Sequence, residues 1–311
     1  MQLIVTANKL NKRRSLPSNL PDPDNICGVV NKGFIFEGDE VLSVPNAALG
    51  KWYEDRDGYY YWGGGLTVEN AMPAVSNIYN DIIKSANGNS IINLPAGYVL
   101  GADVSHHNNE SGAIDWNAMV NARCKFVFIK ITEGVGSPDP KAIVNAQDAK
   151  KAGLKIGYYH FCRPDSKTGS SIVSDATAEA DEAIKRISSE LLTPDLPLVM
   201  DLEDEKGWDT PLNQQQYLQW IQTFIQRYKN KSGLSPIIYS RTNYLNAKLP
   251  PANGLGDYKL WLSDYSQTDC NKLVLPHGWS DWSIWQFTES ASIGANKKID
   301  LNILKDTSLF Q

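Results

Sequence analysis

From Tyr98 onward the chain alternates strand-length apolar runs with amphipathic helical stretches, and this restricts its fold more than any other feature. Strand candidates are Val99–Val104, Phe126–Thr132, Lys155–Phe161, Leu198–Leu202, Pro236–Ser240, Lys259–Ser263, Ser283–Phe287 and a short Lys298–Leu301. Apolar runs of this length, rich in β-branched and aromatic residues, read as strands. One helix is expected over about Ser174–Leu192, with Ala176, Ala180, Ala183, Ile184 and Ile187 inward. Another follows Thr210, an N-cap candidate, with Pro211 at the first helical position. Its apolar stripe is Tyr217, Trp220, Ile221, Phe224, Ile225 and Tyr228. Alternation of this kind predicts a parallel sheet with helical crossovers. Eight strands close most economically into a (β/α) barrel, expected to be irregular in the helix-poor last third.

The first part of the chain has a different rhythm. Short β-like runs at Ile4–Ala7, Ile26–Val30, Val41–Val44 and Tyr59–Trp62 are punctuated by turn residues, and Asp57-Gly58 reads as a hairpin. A small all-β barrel is expected there. The chain of 311 residues therefore divides into a β-domain over 1–66, a linker over 67–97 and a large α/β domain over 98–311. Within the linker, Val75–Ile83 has the pattern of a short helix and Ser85–Ser90 reads as flexible.

Composition excludes several classes of function. Charged residues are 21% and the net charge is −5, so no global positive field draws the chain to nucleic acid. No segment reaches the roughly 18–20 apolar residues that span a bilayer, so membrane insertion is not expected. Met1–Leu16 lacks the apolar core of a Sec signal peptide. The four cysteines are scattered, form no metal-binding spacing, and Cys124 and Cys162 read as buried thiols. Nine Trp and fourteen Tyr are an unusual stock of aromatic faces, fit for a core or for stacking on sugars.

In a (β/α) barrel, chemistry sits at the C-terminal ends of the strands. Those ends carry Asp103, Glu133, the Asp201/Glu203 pair and, in the last strand, Asp300. Residues two apart on a strand share a face. Asp201 and Glu203, about 6.6 Å apart by Cα rise, would repel when both are ionised, which raises the proton affinity of one. One protonated and one ionised carboxyl is the arrangement glycoside hydrolysis uses. The plain alternative is that such acids cap helices or pair with bases. A metal cluster is the chemical rival, and His106-His107 beside Asp103 leave a mixed His/Asp site open, but no metal or cofactor is expected. Aromatics stand at the same ends, among them Tyr159, Tyr239, Trp261, Tyr265 and Trp285; a strand alternates faces, so about half point outward into helices and those pointing into the mouth would wall the groove, with Gln286 and Asn302 bonding hydroxyls.

These residues fall in blocks that resemble the family 25 glycoside hydrolases, the N,O-diacetylmuramidases or Chalaropsis-type lysozymes. The blocks are Gly101–Asn108 (GADVSHHN), Ile114–Trp116, Phe126–Gly134 (FVFIKITEG), Gly157–Pro164 (GYYHFCRP), Leu198–Glu203 (LVMDLE), Pro236–Ser240 (PIIYS), Leu260–Leu262, Trp285-Gln286 and Ile299–Asn302 (IDLN). They keep family order over about residues 98–305. The resemblance implies an irregular TIM-like barrel that cleaves the β-1,4 bond from N-acetylmuramic acid to N-acetylglucosamine in bacterial peptidoglycan, with net retention. It implies Glu203 as general acid, Asp201 as support for the reacting sugar, and Asp103 and Asp300 completing the cluster. The substrate's 2-acetamido group would be the nucleophile. Tyr159, Tyr239, Trp261, Trp285, Gln286, Asn302 and Glu133 would contact substrate. Asp264 departs from the family pattern and either alters substrate detail or points to solvent.

Val5–Ser18 (VTANKLNKRRSLPS), Gly28–Gly33 and Lys51–Tyr53 resemble bacterial SH3-like domains, with Lys12 and Leu16 where Val and Gly are usual. Such domains accompany wall hydrolases, and Tyr59–Trp62 is either a wall-binding face or hairpin packing. A monomeric wall hydrolase is expected, released through a holin, by lysis or by a non-classical route. The competing readings are a non-catalytic wall-binding barrel and a glycosidase of another N-acetylglucosamine polymer.

Overall fold

The computed structural model describes residues 2–69, 97–203 and 212–310. The chain forms two compact units, Met1–Val75 and Ser76–Gln311. The expected short helix at 75–83, most of the linker, and Thr210-Pro211 lie outside the described residues.

The first unit is all-β. Its strands are β1 (Gln2–Val5), β2 (Lys9–Arg13), β3 (Ile26–Asn31), β4 (Ile35–Glu40), β5 (Trp52–Asp55), β6 (Tyr60–Trp62) and β7 (Leu66–Glu69). They form one sheet in the order β3-β2-β6-β5-β4-β1-β7. Because β7 pairs with β1, this unit runs past the expected boundary at residue 66. The Asp57-Gly58 turn joins β5 to β6 as a hairpin. Gly58 takes φ 81°, which costs an L side chain energy and glycine little. Asp55 holds the turn, its carboxylate accepting from the Asp57 and Tyr59 amides (3.0 and 2.9 Å) and from the Tyr61 hydroxyl (2.8 Å). The aromatic run divides by the pleat: Tyr61 is core, while Trp62 is 46% exposed. Val41–Val44 is not a strand, since the sheet residues end at Glu40; β2 escaped notice because only Leu10 marks its buried face in a polar run.

The second unit is a closed barrel. Its strands are β8 (Val99–Val104), β9 (Phe126–Glu133), β11 (Lys155–Phe161), β12 (Val199–Asp201), β13 (Ile237–Ser240), β14 (Leu260–Ser263), β15 (Ile284–Ile293) and β16 (Asn296–Leu304); a short β10 (Ser137–Pro138) folds back on β9. The helices are α1 (Trp116–Asn121), α2 (Ala142–Lys151), α3 (Ile172–Ser189), α4 (Gln214–Ser232) and α5 (Thr242–Lys248). The order is β9-β11-β12-β13-β14-β15-β16-β8, closed by β8 pairing with β9. Seven strands are parallel, but β16 runs antiparallel to both β15 and β8. That corrects the all-parallel expectation. A tight Gly294 turn (φ 59°) leaves no room for a crossover helix, so the chain returns as a hairpin.

Helix α4 buries the expected stripe of Tyr217, Trp220, Ile221, Phe224, Ile225 and Tyr228. It starts at Gln214, capped by Asn213 in a reciprocal box with Gln216. Helix α3 ends at Ser189 and not at Leu192. Its buried face combines Ala176, Ala180 and Ala183 with Asp175, Glu179 and Arg186, while Ile184 and Ile187 are half-buried, and Trp220 of α4 reaches across to bond Asp175 (2.8 Å).

The barrel interior is filled by Phe126, Phe128, Val199, Ile237, Tyr239, Trp261, Ile284 and Leu304. Two glycines make room for the phenylalanines. A Cβ on Gly101 would lie 2.4 Å from the Phe126 ring, and one on Gly157 would lie 2.4 Å from the Phe128 ring. Gly157→Ala is therefore expected to lower stability by about 1–3 kcal/mol through overpacking. Urea unfolding checks this: the midpoint should fall at unchanged slope.

Candidate active site

The four strand-end acids meet at the barrel mouth. Asp103, Asp201, Glu203 and Asp300 line one pocket with Tyr159, Tyr239, Trp261 and Gln286. Lateral neighbours on paired strands share a face, so register brings them together. Asp201 pairs with Tyr239, Tyr239 with Trp261, and Asp300 with Asp103. The reversal of β16 matters here. Running against its neighbours, it puts its first half, with Asp300, at the end where the other strands finish.

Asp103 is held by a relay of amides. Its Oδ1 accepts from Gln286 Nε2 (2.8 Å) and Asn302 Nδ2 (2.7 Å). The relay has a fixed polarity. Trp261 Nε1 can only donate, and it donates to Asn302 Oδ1 (2.8 Å), which leaves the Asn302 amino group facing Asp103. The Tyr239 and Tyr265 hydroxyls donate to Gln286 Oε1 (2.8 and 2.6 Å), which turns the Gln286 amino group the same way. Burial raises the proton affinity of Asp103, and these donors oppose it. Its neighbour Asp300 is pushed up to about 9, by burial first and by the Asp103 charge second. Asp300 therefore carries the proton of the pair and donates to Asp103.

Asp201 and Glu203 form the second pair, joined by a hydrogen bond between their carboxyls. Burial raises both, and for Asp201 the Glu203 charge adds to it. Ionising both carboxyls would put adjacent charges in a buried site, which favours one proton shared by the pair. Asp201 is 5% exposed, and its Oδ1 is buried without a partner. Glu203 is the more open of the two and faces the groove.

Three of the expected substrate contacts sit elsewhere. Trp285 is fully buried on the outer face of the barrel, packed on Trp282 and Phe287, its indole bonded to the Asp264 carbonyl (2.9 Å). Gln286 faces the groove, so the pleat turns Trp285 away from it. Asn302 is fully buried one layer beneath Asp103 and does not line the pocket. Glu133 is tied to Lys130 (2.7 Å) and Arg163 (2.8 Å) and also stands outside it. Burial pulls Glu133 up, but the two cations hold it below the usual carboxylate range. Asp264 caps its own turn, accepting from Ser266 N (2.9 Å) and Oγ (2.6 Å).

Three of the four histidines bond carboxylates through their rings. His106 bonds Asp139 and His107 bonds Glu110. Among the described residues, one group with metal-ligand chemistry is His160, Cys162 and Glu179, all buried behind the sheet. Both ring nitrogens of His160 are in use, with Thr132 (2.6 Å) and Glu179 (2.8 Å), so the group braces β11 against α3. The four cysteines are free thiols.

Sequence reasoning passed over Lys130 and Arg241. Each is a single basic residue at a strand end, and each acts on Glu203 by charge. Their signal was the position alone, one residue past Tyr239-Ser240 in the case of Arg241.

A closed barrel with paired carboxyls at its mouth is the architecture of a barrel glycoside hydrolase. The family model described as glycosyl hydrolases family 25 matches residues 102–295, and the chain belongs to that family. Lysozyme M1 of Streptomyces globisporus is 29% identical over 202 residues, 63% of this chain and 64% of that protein. The chain thus spans less than two thirds of that relative's length. The N,O-diacetylmuramidase of Arthroderma benhamiae is 27% identical over 216 residues, 67% of this chain and 84% of that protein. Among solved structures, the bacterial lysozyme from Streptomyces coelicolor superposes with a TM-score of 0.57 at 26% identity, covering 69% of this chain and 95% of that one.

Proposed function

We propose that the protein is a muramidase, hydrolysing the β-1,4 bond between N-acetylmuramic acid and N-acetylglucosamine in peptidoglycan with net retention. The observation that carries this is the proton-sharing Asp201/Glu203 pair facing an aromatic-walled groove. Glu203, open to the groove, delivers the proton it shares with Asp201 to the leaving oxygen. Asp201 lies within hydrogen-bonding reach of Glu203. Carboxyls that flank a glycosidic bond from two sides stand about 5–9.5 Å apart, so Asp201 is too close to Glu203 to serve as its opposed nucleophile. The 2-acetamido group of the substrate fits that role, with Asp201 orienting it and stabilising the positive charge that develops. Asp103, fixed by Gln286 and Asn302, and Asp300, through the carboxyl oxygen not bonded to Asp103, accept from sugar hydroxyls in this reading. Tyr159, Tyr239 and Trp261 supply the ring faces.

The all-β unit is read as an SH3-like wall-binding module. Support comes from its single antiparallel sheet and from Trp62, half-exposed and held by a bond from its indole to the Leu49 carbonyl (3.1 Å).

Mass spectrometry of fragments from digested peptidoglycan tests the reading. Muramic acid is expected at every new reducing end, and glucosamine there would overturn it.

A further inference from the structure

Pairing between β12 and β13 continues past the last residues of β12. Asp201 stands opposite Tyr239, Leu202 N donates to the Tyr239 carbonyl (3.0 Å), and Ser240 Oγ donates to the Leu202 carbonyl (2.6 Å). Carrying that register on by two residues sets Arg241 beside Glu203. Asp201 and Tyr239 both face the groove, and the period of two gives Glu203 and Arg241 the same face. Arg241 keeps an extended backbone (φ −101°, ψ 145°) although it stands directly before α5, and its side chain makes no cap bond to that helix.

Among the described residues, Arg241 is the cation available to a ligand here. It is exposed, and no hydrogen bond or ion pair of its guanidinium occurs among the described residues. Lys130 is different: it is 8% exposed, bonded to Glu133, with its ammonium 4.5 Å over the Phe161 ring. Arg163 is tied to Glu133 as well. Next in register after Arg241 comes Ser263, on the groove face with Trp261, and its Oγ is buried without a partner. Among the described residues, the rim beside the general acid thus carries an unspent planar fork next to an unspent hydroxyl.

The groove itself is acidic. Two carboxyl pairs, each holding one proton, leave negative charge that repels an anionic substrate. An acidic glycan needs a compensating cation at the entrance, and a guanidinium fork matches a carboxylate in geometry as well as in charge.

We propose that Arg241 binds a carboxylate carried by the muramic acid unit, making the groove select acidic glycan over neutral N-acetylglucosamine polymers. This rests on the muramidase reading above. The carboxylate is the free lactyl group where the stem peptide is absent, or a carboxylate of the stem peptide where it is present.

The test uses the full chain with four substrates: peptide-stripped glycan strands and intact peptidoglycan, each native and with carboxyls converted to methylamides. The wild-type protein should prefer the native form by about tenfold in kcat/KM, the scale of one charge-assisted hydrogen-bonded contact. Arg241→Gln should bring that ratio to about one, through KM, and Arg241→Lys should restore part of it. Added salt should erode the wild-type preference. Arg241 also lowers the proton affinity of Glu203, but that effect is common to both forms of a substrate and cancels in the ratio. A preference on stripped strands assigns the lactyl carboxylate, and one confined to intact peptidoglycan assigns the stem peptide. A wild-type ratio of one on both substrates overturns the proposal, as does a ratio that survives Arg241→Gln. Absence of muramic acid reducing ends from the wild-type protein would instead sink the muramidase reading.

Discussion

Glu203→Gln reduces release of reducing ends from purified peptidoglycan by about 10²–10⁴-fold, the range for loss of a positioned general acid. The substitution keeps the shape of the side chain and removes the proton donor. It also removes a charge that raises the proton affinity of Asp201, so the fold should be no less stable than in the wild-type protein. A thermal melt separates the two effects: activity collapses while the midpoint holds or rises. The pH profile carries a second signature. Burial raises Glu203, with Asp201, Arg241 and Lys130 acting as partial offsets. The active form keeps the proton shared by Asp201 and Glu203, both raised by burial, so wild-type activity persists at lower pH and is lost as pH climbs and the pair gives that proton up. The residual activity of Glu203→Gln should lack this alkaline fall. Wild-type rates in Glu203→Gln would remove Glu203 from the mechanism.

Asn302→Leu lowers stability by about 3–5 kcal/mol at neutral pH, the cost of stripping a partner from a buried charge. Asn302 is fully buried and serves two groups at once. Its amino group donates to Asp103 and its carbonyl accepts from the Trp261 indole. Leucine has similar volume, so packing is conserved while both groups are orphaned. The pH dependence fixes the cause. Asn302 opposes the rise in Asp103 proton affinity, so its loss penalises the ionised form. The deficit should shrink as pH falls and Asp103 takes up a proton. Chemical unfolding at pH 7 and pH 4 measures both values. A deficit that is equal at the two pH values would mean that packing, and not the buried charge, sets it.

Much of this site is legible along the chain because a strand has a period of two. Asp201 and Glu203 are two apart, so their common face follows from spacing once Val199–Asp201 is read as a strand end. The same period misleads where its phase is unknown. Trp285 and Gln286 are adjacent, one must face outward, and nothing local says which. The structure turns the indole into the outer layer and the amide into the groove. Glu133 looked like groove chemistry from its place at a strand end, but Lys130 and Arg163 neutralise it. Arg241 went unseen for the opposite reason. A single arginine after a strand carries no local pattern, and its neighbour Glu203 arrives through strand pairing.

The amino-acid order by itself determined the alternating strands and helices, the closed eight-stranded barrel, the all-β unit before it, and the acids at the strand ends. These follow from periodicity and turn chemistry, which act over a few residues. Tertiary structure decided the direction of β16, and with it the placing of Asp300 against Asp103. It also decided that Asp300 and not Asp103 keeps the proton of their pair. Proton affinity depends on burial and on donors brought from far along the chain. Gln286 and Asn302 reach Asp103 across 183 and 199 residues, and only closure of the barrel brings them within bonding distance.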